Sequence, residues 1–421
     1  MAFRKNIALY SIGNLVVALV PFILIPFMTS VFSPSTYGLI TMFQVVLGLL
    51  NIVIGLSMNG PLLRFNYNKE IDQTKIVNYF YNSWLLYFFS ALLIGLVIYW
   101  LGEYIEKYFE LPLLLLQSAF LSSVLYYPIK IRLGQWQVHG NAKKYVSLQL
   151  FQSIFLVSLF FAFYFFIYKD EKSRIYSHIV ALIPLFLASL WSLHKCGFLN
   201  VGRLSFDDMR DILKQSIGVM PHLFGIYVVS FSDRFIVNKY LGSDIVGVLM
   251  LSIQISLVLN IILDGVNKAA NPALFRALRD NDIKKKEKFA NWTIIYIISL
   301  LFSTIPIYYM ASYLILNFTS VEYHGAVKLV KFAIVTQIVN GIYLAFVNYI
   351  VYSKKLWLLS LISIASGSIG VILSVIYISD YGVMAVVYSS LLSAIIRAVF
   401  VMLISINLVE MPWFNYLRCK N

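Results

Sequence analysis

Long apolar runs separated by short polar segments make up most of this chain. A helix needs about 20 mostly apolar residues to cross the roughly 30 Å hydrocarbon core of a bilayer. Twelve runs meet that requirement, and each predicts a transmembrane helix. The predicted spans are 8–32, 38–61, 79–101, 111–129, 145–168, 176–193, 215–238, 246–271, 290–312, 326–350, 356–378 and 383–406.

The composition agrees with a protein that is embedded in a membrane. The 421 residues are 60% apolar and 12% charged, with a mean hydropathy of +0.80. Soluble domains are about 45–50% apolar and about 25% charged, so most soluble enzymes and nucleic-acid-binding proteins are excluded. The first run has no small-residue cleavage pattern and is predicted to be a retained span. With two cysteines, no disulfide is expected.

The basic residues predict the orientation of the chain. Of the 33 Lys and Arg side chains, 23 lie in segments on the same side as the N-terminus, six lie in the opposite segments and four lie inside spans. Because cytoplasmic loops are enriched in Lys and Arg, both termini are predicted to be cytoplasmic. This asymmetry also explains the net charge of +14 without nucleic acid.

A weak internal repeat relates the two halves of the chain. Gly38 and Gly247 close similar turns 209 residues apart, and Asn51 and Asn260 have the same spacing. Outer turns favour glycine in any case, so the few identities have two explanations. If the repeat is real, two six-helix lobes are related by a pseudo-twofold axis along the membrane normal. The predicted lobes are 1–195 and 215–421, joined by a cytoplasmic linker at 196–214 and enclosing a cavity.

Charged residues inside the spans are the first candidates for a site, because each costs about 2.5–3.5 kcal/mol at the bilayer centre. Arg397 is too far from the inner end of its span for easy snorkelling, so it either lines a cavity or bonds a neighbouring helix. Asp264 and Lys268 share one helix face and could be functional or could neutralise each other. Asp233 and Arg234 could be functional or could reach the headgroups.

Two further features are candidates with simple structural alternatives. Arg64 ends the second span, where the excess of basic residues on the inner side would also explain it. Pro21 and Pro26 each remove a backbone hydrogen bond from the first span, so this helix could bend and gate a cavity or could be statically kinked.

Motifs for catalysis are missing from the sequence. It has no phosphate-binding Gly-x-x-x-x-Gly-Lys-Ser/Thr loop, no metal-ligand spacing of His, Cys or Glu, and no Gly-x-Ser-x-Gly turn. We therefore expect no enzymatic activity, no cofactor and no metal.

Several short motifs carry a family resemblance. They are Pro21 and Pro26, Tyr37-Gly38, Arg64, Phe206-Asp207, Leu213-Lys214, Gly218, Pro221, Ser232-Asp233-Arg234-Phe235-Ile236, Leu241-Gly242, Val246-Gly247 and Tyr381-Gly382. In these motifs and in topology the chain resembles the Wzx-type polysaccharide flippases of the multidrug/oligosaccharidyl-lipid/polysaccharide exporter superfamily.

The resemblance implies a transport function in a bacterial inner membrane. The substrate would be an undecaprenyl-pyrophosphate-linked oligosaccharide, moved by alternating access to the outer leaflet for O-antigen, capsule or exopolysaccharide synthesis. Arg397, Lys268, Arg234 and Arg64 would contact the pyrophosphate, and Asp264 or Asp233 would couple an ion. The implied partners are membrane lipids, a polysaccharide polymerase and a chain-length regulator, but no nucleic acid.

Three alternatives remain open at the level of the sequence. A multidrug antiporter of the same superfamily would need buried carboxylates for its cationic substrates, and only Asp233 and Asp264 are available. A polymerase or acyltransferase is disfavoured because the outer loops are short. A purely structural membrane subunit would not explain the charges inside the spans.

Overall fold

The computed structural model describes residues 2–67, 72–280 and 282–413. These residues form α-helices connected by short loops, with one 3-10 turn at Val321–Tyr323. The helices are α1 Ala2–Val31, α2 Pro34–Ile54, α3 Asn59–Tyr67, α4 Gln73–Phe109, α5 Leu113–Val138, α6 Ala142–Phe166, α7 Glu171–Lys195, α8 Phe206–Leu241, α9 Ser243–Arg279, α10 Ile283–Phe318, α11 Ala326–Tyr352, α12 Leu356–Tyr381 and α13 Val383–Leu408.

The predicted all-α membrane fold is confirmed. Within the described ranges, eleven helices are long and apolar enough to cross a membrane, and α1 contains a shorter apolar stretch at Val16–Val31. Many large apolar side chains point outward, such as Phe88, Leu92 and Trp100 on α4. An outer surface of this kind is stable in hydrocarbon and costly in water.

The second predicted span differs from the structure, because 38–61 is not one continuous helix. α2 ends at Ile54, and Leu56 and Ser57 have φ values of 45° and 55°. This left-handed backbone is unfavourable for residues other than glycine and interrupts helical hydrogen bonding. A Cβ atom at Gly55 would lie 3.2 Å from the buried Tyr127 ring, which packs against the interruption. α3 then resumes at Asn59.

Packing divides the chain into two compact units. The first contains the chain up to Leu24 and Ser35–Ser243, and the second contains Ile25–Pro34 and the chain from Asp244 onward. α8 belongs to the first unit, where the Tyr227 hydroxyl donates to the Val45 carbonyl at 2.6 Å. The lobes 1–195 and 215–421 and their symmetry axis, which rest on the sequence repeat, stay a prediction.

The linker between the halves is held against α4 in the first unit. The Asn82 side chain donates to the Arg203 carbonyl and accepts from the Ser205 amide, both at 3.0 Å. The Trp84 ring nitrogen donates to the Phe198 carbonyl at 3.1 Å. Ser205 then caps α8 by accepting from the Asp208 amide. The linker therefore leads directly into α8.

In the second unit, α12 and α13 approach each other through small residues. A Cβ atom at Gly370 would lie 3.0 Å from the Ser393 Cβ atom and 3.3 Å from the Ser389 carbonyl oxygen. Small residues allow close helix packing in membranes, where burial of apolar surface gives no driving force. Trp413, beyond α13, packs on the Phe346 ring and closes the core of this unit.

Candidate functional site

One face of α9 carries a row of polar residues through an otherwise apolar helix. Asn260, Asp264, Asn267, Lys268 and Asn271 are separated by four, three, one and three positions. This spacing places them on the same side of an α-helix. The face includes Asp264 and Lys268, two of the residues predicted from the sequence to belong to a site.

Side-chain amides connect this face to α11 and α13. The Asn260 amide donates to the Gln337 side-chain oxygen at 2.9 Å, and the Asn340 amide donates to the same oxygen at 3.2 Å. The Arg397 guanidinium donates to the Asn340 side-chain oxygen at 2.6 Å. Four polar side chains on three helices thus form one network, which we call the amide network.

The Arg397 guanidinium remains a net positive charge in this network. Asn340 and the Tyr343 ring, 5.2 Å from the guanidinium, are neutral partners, and Arg397 Nε is buried without a hydrogen-bond partner among the described residues. No described carboxylate lies within 4.0 Å of it. Eleven residues separate Arg397 from the end of α13 at Leu408, or about 16 Å at 1.5 Å per residue. The cation therefore lies deep in the span.

Asp264 and Lys268 form an ion pair on the same face of α9. The carboxylate and the ammonium are 2.5 Å apart, and the side chains are 41% and 73% exposed. Pairing removes the cost of two isolated charges at membrane depth. Both side chains are partly exposed on the surface of the protein.

A second amide contact lies further along α9 toward its C-terminal end. The Asn348 side chain of α11 donates to the Asn267 side-chain oxygen at 2.6 Å. One turn later, the Asn271 side-chain oxygen is buried without a hydrogen-bond partner among the described residues. The polar face thus continues for three turns beyond Asn260.

Asp233 and Arg234 form a separate ion pair in the first unit. Their charged atoms are 2.6 Å apart, and the side chains are 16% and 8% exposed. The guanidinium also donates to the Ser230 carbonyl at 2.6 Å and lies 5.0 Å from the Phe231 ring. The side chains are thus buried within the protein, whereas one interpretation of the sequence had them reaching the headgroups.

The remaining predicted residues lie in α1 and α3. Pro21 and Pro26 are both within α1, and the division between the two compact units falls between them. Arg64 is in α3, and its side chain lies outside the described part of the chain. Their predicted roles in gating and in phosphate binding stay predictions.

Two further arginines, and the amide partners of Arg397 in the network, were not predicted from the sequence. Arg132 donates to Ser192 and Gln135 at 2.9 and 2.8 Å and lies 4.8 Å from the Trp136 ring. Arg174 lies in the first turn of α7 with its guanidinium 5.5 Å from the Phe160 ring. Amides at helical spacing in an apolar span, such as Gln337 and Asn340 in α11, were the available signal for the network.

The site in the second unit suits an anion that is rich in oxygen atoms. Arginine is a planar donor that matches phosphate oxygens, and amides can donate to further oxygens. Both carboxylates selected from the sequence are already paired with cations. A cationic ligand would first have to displace one of these partners.

Comparisons with known proteins agree on a family and on a fold. The family model described as "Polysaccharide biosynthesis protein" matches residues 3–278. An "Uncharacterized membrane protein" of Haemophilus influenzae is 24% identical over 415 residues, which cover 94% of this chain and 95% of the relative.

Solved structures of two transport proteins have a similar fold. The lipid II flippase MurJ, in an inward closed conformation, has a TM-score of 0.73 at 15% identity and covers 94% of this chain and 87% of its own. An inward-facing multidrug resistance MATE family transporter of the MOP superfamily has a TM-score of 0.69 at 12% identity. The match covers 94% of this chain and 97% of the transporter. At these identities the likeness establishes the fold alone.

Proposed function

The chain belongs to the polysaccharide biosynthesis protein family, and from this premise we propose that it is a flippase for oligosaccharides linked to a polyprenyl diphosphate. It would move them by alternating access from the cytoplasmic to the outer leaflet of a bacterial inner membrane, with both termini cytoplasmic. The products would be used for O-antigen, capsule or exopolysaccharide synthesis, together with a polymerase and a chain-length regulator. The fold of the chain, which is similar to that of the lipid II flippase MurJ, is compatible with this proposal.

The observation that carries the proposal is Arg397, a half-buried cation deep in its span that belongs to the amide network. Among the described residues, its cation has only neutral partners. A diphosphate could compensate this charge when it reaches the middle of the membrane. Lys268, Arg234 and Arg64 are the further proposed phosphate contacts, and a substrate anion would have to compete with Asp264 for Lys268.

The antiporter alternative is less well supported by the same geometry. Organic cations in a membrane site require an available carboxylate. Asp233 and Asp264 each lie within 2.6 Å of a basic side chain. The positive charge that remains uncompensated at depth favours an anionic substrate.

The test of this function is complementation of a strain that lacks the gene. We expect Arg397→Ala, at normal protein level, to reduce export of surface polysaccharide about 10- to 100-fold, because a charged hydrogen bond of about 1.5–3 kcal/mol is lost. Arg397→Lys should restore part of the export. Lipid-linked units should accumulate on the inner side.

A control variant and a glycan-length assay make the result specific. Lys331→Ala likewise removes one cation, in this case from α11. Because Lys331 contacts the Phe332 ring and lies outside the amide network, export should be unchanged. Normal surface polysaccharide in Arg397→Ala would remove Arg397 from the site. Single units on the surface of the deletion strain would indicate a polymerase instead, because a flippase mutant displays none.

We also propose that Asp264 couples transport to an ion. When the substrate binds Lys268, the carboxylate loses its partner at 2.5 Å and becomes free to bind a proton or Na⁺. In proteoliposomes, Asp264→Asn should retain transport down a substrate gradient but lose the response to an ion gradient. Asp233→Asn is the matched comparison, and an unchanged response in both variants would exclude these two carboxylates.

Gating at α1 is the third part of the proposal. Pro21 and Pro26 each lack the amide that would bond to the carbonyl four residues earlier, which makes α1 easier to bend between them. The contact division between Leu24 and Ile25 supports this position.

A further inference from the structure

A cavity of about 810 Å³ opens between α9, α10 and α11 within the second unit. It is lined by residues in the ranges 266–280, 285–296 and 344–349. Fourteen residue steps along α9 correspond to about 21 Å. The cavity therefore extends from the end of α9, predicted to be cytoplasmic, through about the depth of one leaflet.

The inner wall of the cavity is mainly apolar, with Asn267, Asn271 and Asn348 as polar residues in its lining. Leu274 and Tyr349 are almost completely buried in the core of the unit, and Phe289 packs beside them. Val266 and Ala270 continue the apolar lining along α9 toward the middle of the membrane. A surface of this kind accommodates a hydrocarbon chain.

Cations surround the end of the cavity that is predicted to be cytoplasmic. Arg276, Lys285 and Lys288 line it together with a single acidic residue, Asp280. Lys285 lies 3.8 Å from Asp280 and 3.3 Å from Asp282. No described carboxylate lies within 4.0 Å of Arg276 or Lys288. Two positive charges at the rim are therefore uncompensated.

The third cation at the rim, Lys285, forms an ion pair with Asp282. Asp282 caps α10 by accepting a hydrogen bond from the Lys285 amide at 3.2 Å. This hydrogen bond, together with the Lys285 ammonium, lowers the pKa of the Asp282 carboxyl. The carboxylate thus stays ionised at neutral pH and holds Lys285, whereas Arg276 and Lys288 remain available to a ligand.

The cavity is closed toward the middle of the membrane by close packing at Gly341. A Cβ atom there would lie 2.8 Å from Leu300 Cδ1 of α10 and 3.0 Å from Leu263 Cδ1 of α9. The Tyr296 hydroxyl, 3.5 Å from the Gly341 carbonyl, completes this closure. The three helices are thus in close contact between the cavity and the amide network.

We propose that this cavity binds an anionic phospholipid of the surrounding bilayer, with its phosphate at Arg276 and Lys288 and an acyl chain against Leu274 and Phe289. The uncompensated charge at one end and the apolar wall at the other match the two parts of such a lipid. Basic pockets between transmembrane helices on the cytoplasmic side are typical headgroup sites. The closed inner end favours a resident lipid over a transported one. This proposal does not rest on the flippase function, although the cavity shares Asn267 and Asn271 with the polar face of α9.

The test is equilibrium binding of fluorescent phosphatidylglycerol to the purified full-length protein in neutral detergent. Unlabelled phosphatidylglycerol should compete, whereas phosphatidylcholine and inorganic phosphate should not. Each basic residue near a headgroup contributes about 1 kcal/mol. The double variant Arg276→Gln/Lys288→Gln should therefore bind about 10- to 30-fold more weakly.

A matched control removes the same charges outside the cavity. Lys354→Gln/Lys355→Gln takes two exposed cations from the loop between α11 and α12, on the same predicted side of the membrane, and neither residue lines the cavity. Its affinity should stay within about twofold of the wild type, since screening weakens the contribution of exposed charges. Equal affinities for the two double variants would overturn the proposal.

Two further measurements keep the test decisive. If the double variant does not give a monodisperse protein, the single variant Lys288→Gln takes its place. Lys288 is exposed, so this change should not disturb folding but should still weaken binding. Ala345→Trp fills the apolar part of the cavity and should weaken binding while all cations are present. Competition by phosphatidylcholine, or displacement by a polyprenyl diphosphate more strongly than by phosphatidylglycerol, would contradict a resident anionic lipid.

Discussion

At position 247 the backbone of α9 approaches another segment so closely that a side chain does not fit. A Cβ atom on Gly247 would overlap the Pro34 carbonyl oxygen and lie 2.8 Å from its carbon. The obstacle is backbone, which cannot rotate away as a side chain can. The Val246-Gly247 motif seen in the sequence therefore has a packing reason within the second unit.

This contact predicts opposite effects for two glycines of the same helix. Gly247→Ala should lower the thermal stability of the purified protein, because overpacking costs about 1–3 kcal/mol. Gly265→Ala, with no atom within 4 Å of its Cβ position, should leave it unchanged or raise it, because alanine favours helix by about 0.8–1.0 kcal/mol. Equal midpoints of thermal unfolding for the two variants would exclude this contact as the reason for glycine.

The two arginines inside the predicted spans, the buried Arg234 and the half-buried Arg397, differ in their residual charge. Arg234 is paired with Asp233 at 2.6 Å, so the two side chains are neutral together. Among the described residues, the partners of Arg397 are only an amide and an aromatic ring, which carry no charge. Of these two predicted phosphate contacts, Arg397 is therefore the stronger candidate.

At the scale of elements, the two halves of the predicted repeat are built differently at one point. α2 and α3 are separated at residues 55–58, whereas α9 runs without a break from Ser243 to Arg279. At the repeat spacing of 209, Gly55 corresponds to Asp264. The first half thus has a backbone interruption at the place where the second half carries its exposed ion pair.

Asn82 is the side chain that makes two hydrogen bonds to the backbone of the linker. Asn82 is completely buried and makes one hydrogen bond to the linker backbone on each side of Leu204. Asn82→Ala should destabilise the protein by about 1–3 kcal/mol, because buried backbone groups lose their partner. Limited proteolysis should then cut within residues 196–205.

An exposed asparagine provides the control for this experiment. Asn317 donates only to the Tyr313 carbonyl of its own helix, so Asn317→Ala should have little effect on stability or proteolysis. If the linker of Asn82→Ala is cut no faster than that of Asn317→Ala, other contacts such as the one between Trp84 and Phe198 hold the linker.

At the scale of the whole molecule, the charge asymmetry predicts which end of each helix faces the cytoplasm. The prediction depends on 23 basic residues in one set of segments and six in the other. Cys196, an exposed free cysteine after α7, belongs to the basic side. Its accessibility therefore reports the orientation directly.

Labelling with a membrane-impermeant maleimide tests this orientation. With Cys419→Ser as background, Cys196 should react in inverted vesicles and not in intact spheroplasts. Val321→Cys on the opposite side, introduced together with Cys196→Ser, should show the reverse pattern, since Val321 is exposed in the turn after α10. Labelling of Cys196 in spheroplasts would reverse the assigned orientation.

The sequence by itself determined the class of fold and the positions of the spans. Apolar runs of about 20 residues have only one stable solution in hydrocarbon, because a helix satisfies its backbone groups internally. The same reasoning selected Arg397 and the Asp264 and Lys268 pair, since charges stand out in such runs. It did not select Asn260 or Gln337, because the role of an uncharged amide depends on what faces it.

Only the tertiary structure decided which of these groups meet. The hydrogen bonds from Asn260 to Gln337 and from Arg397 to Asn340 join residues 77 and 57 positions apart, and no local pattern specifies such contacts. The break after Ile54 likewise depends on the Tyr127 ring packed against Gly55. The lipid cavity arises from the spacing of α9, α10 and α11 and their convergence at Gly341, which side-chain volumes on three helices determine together.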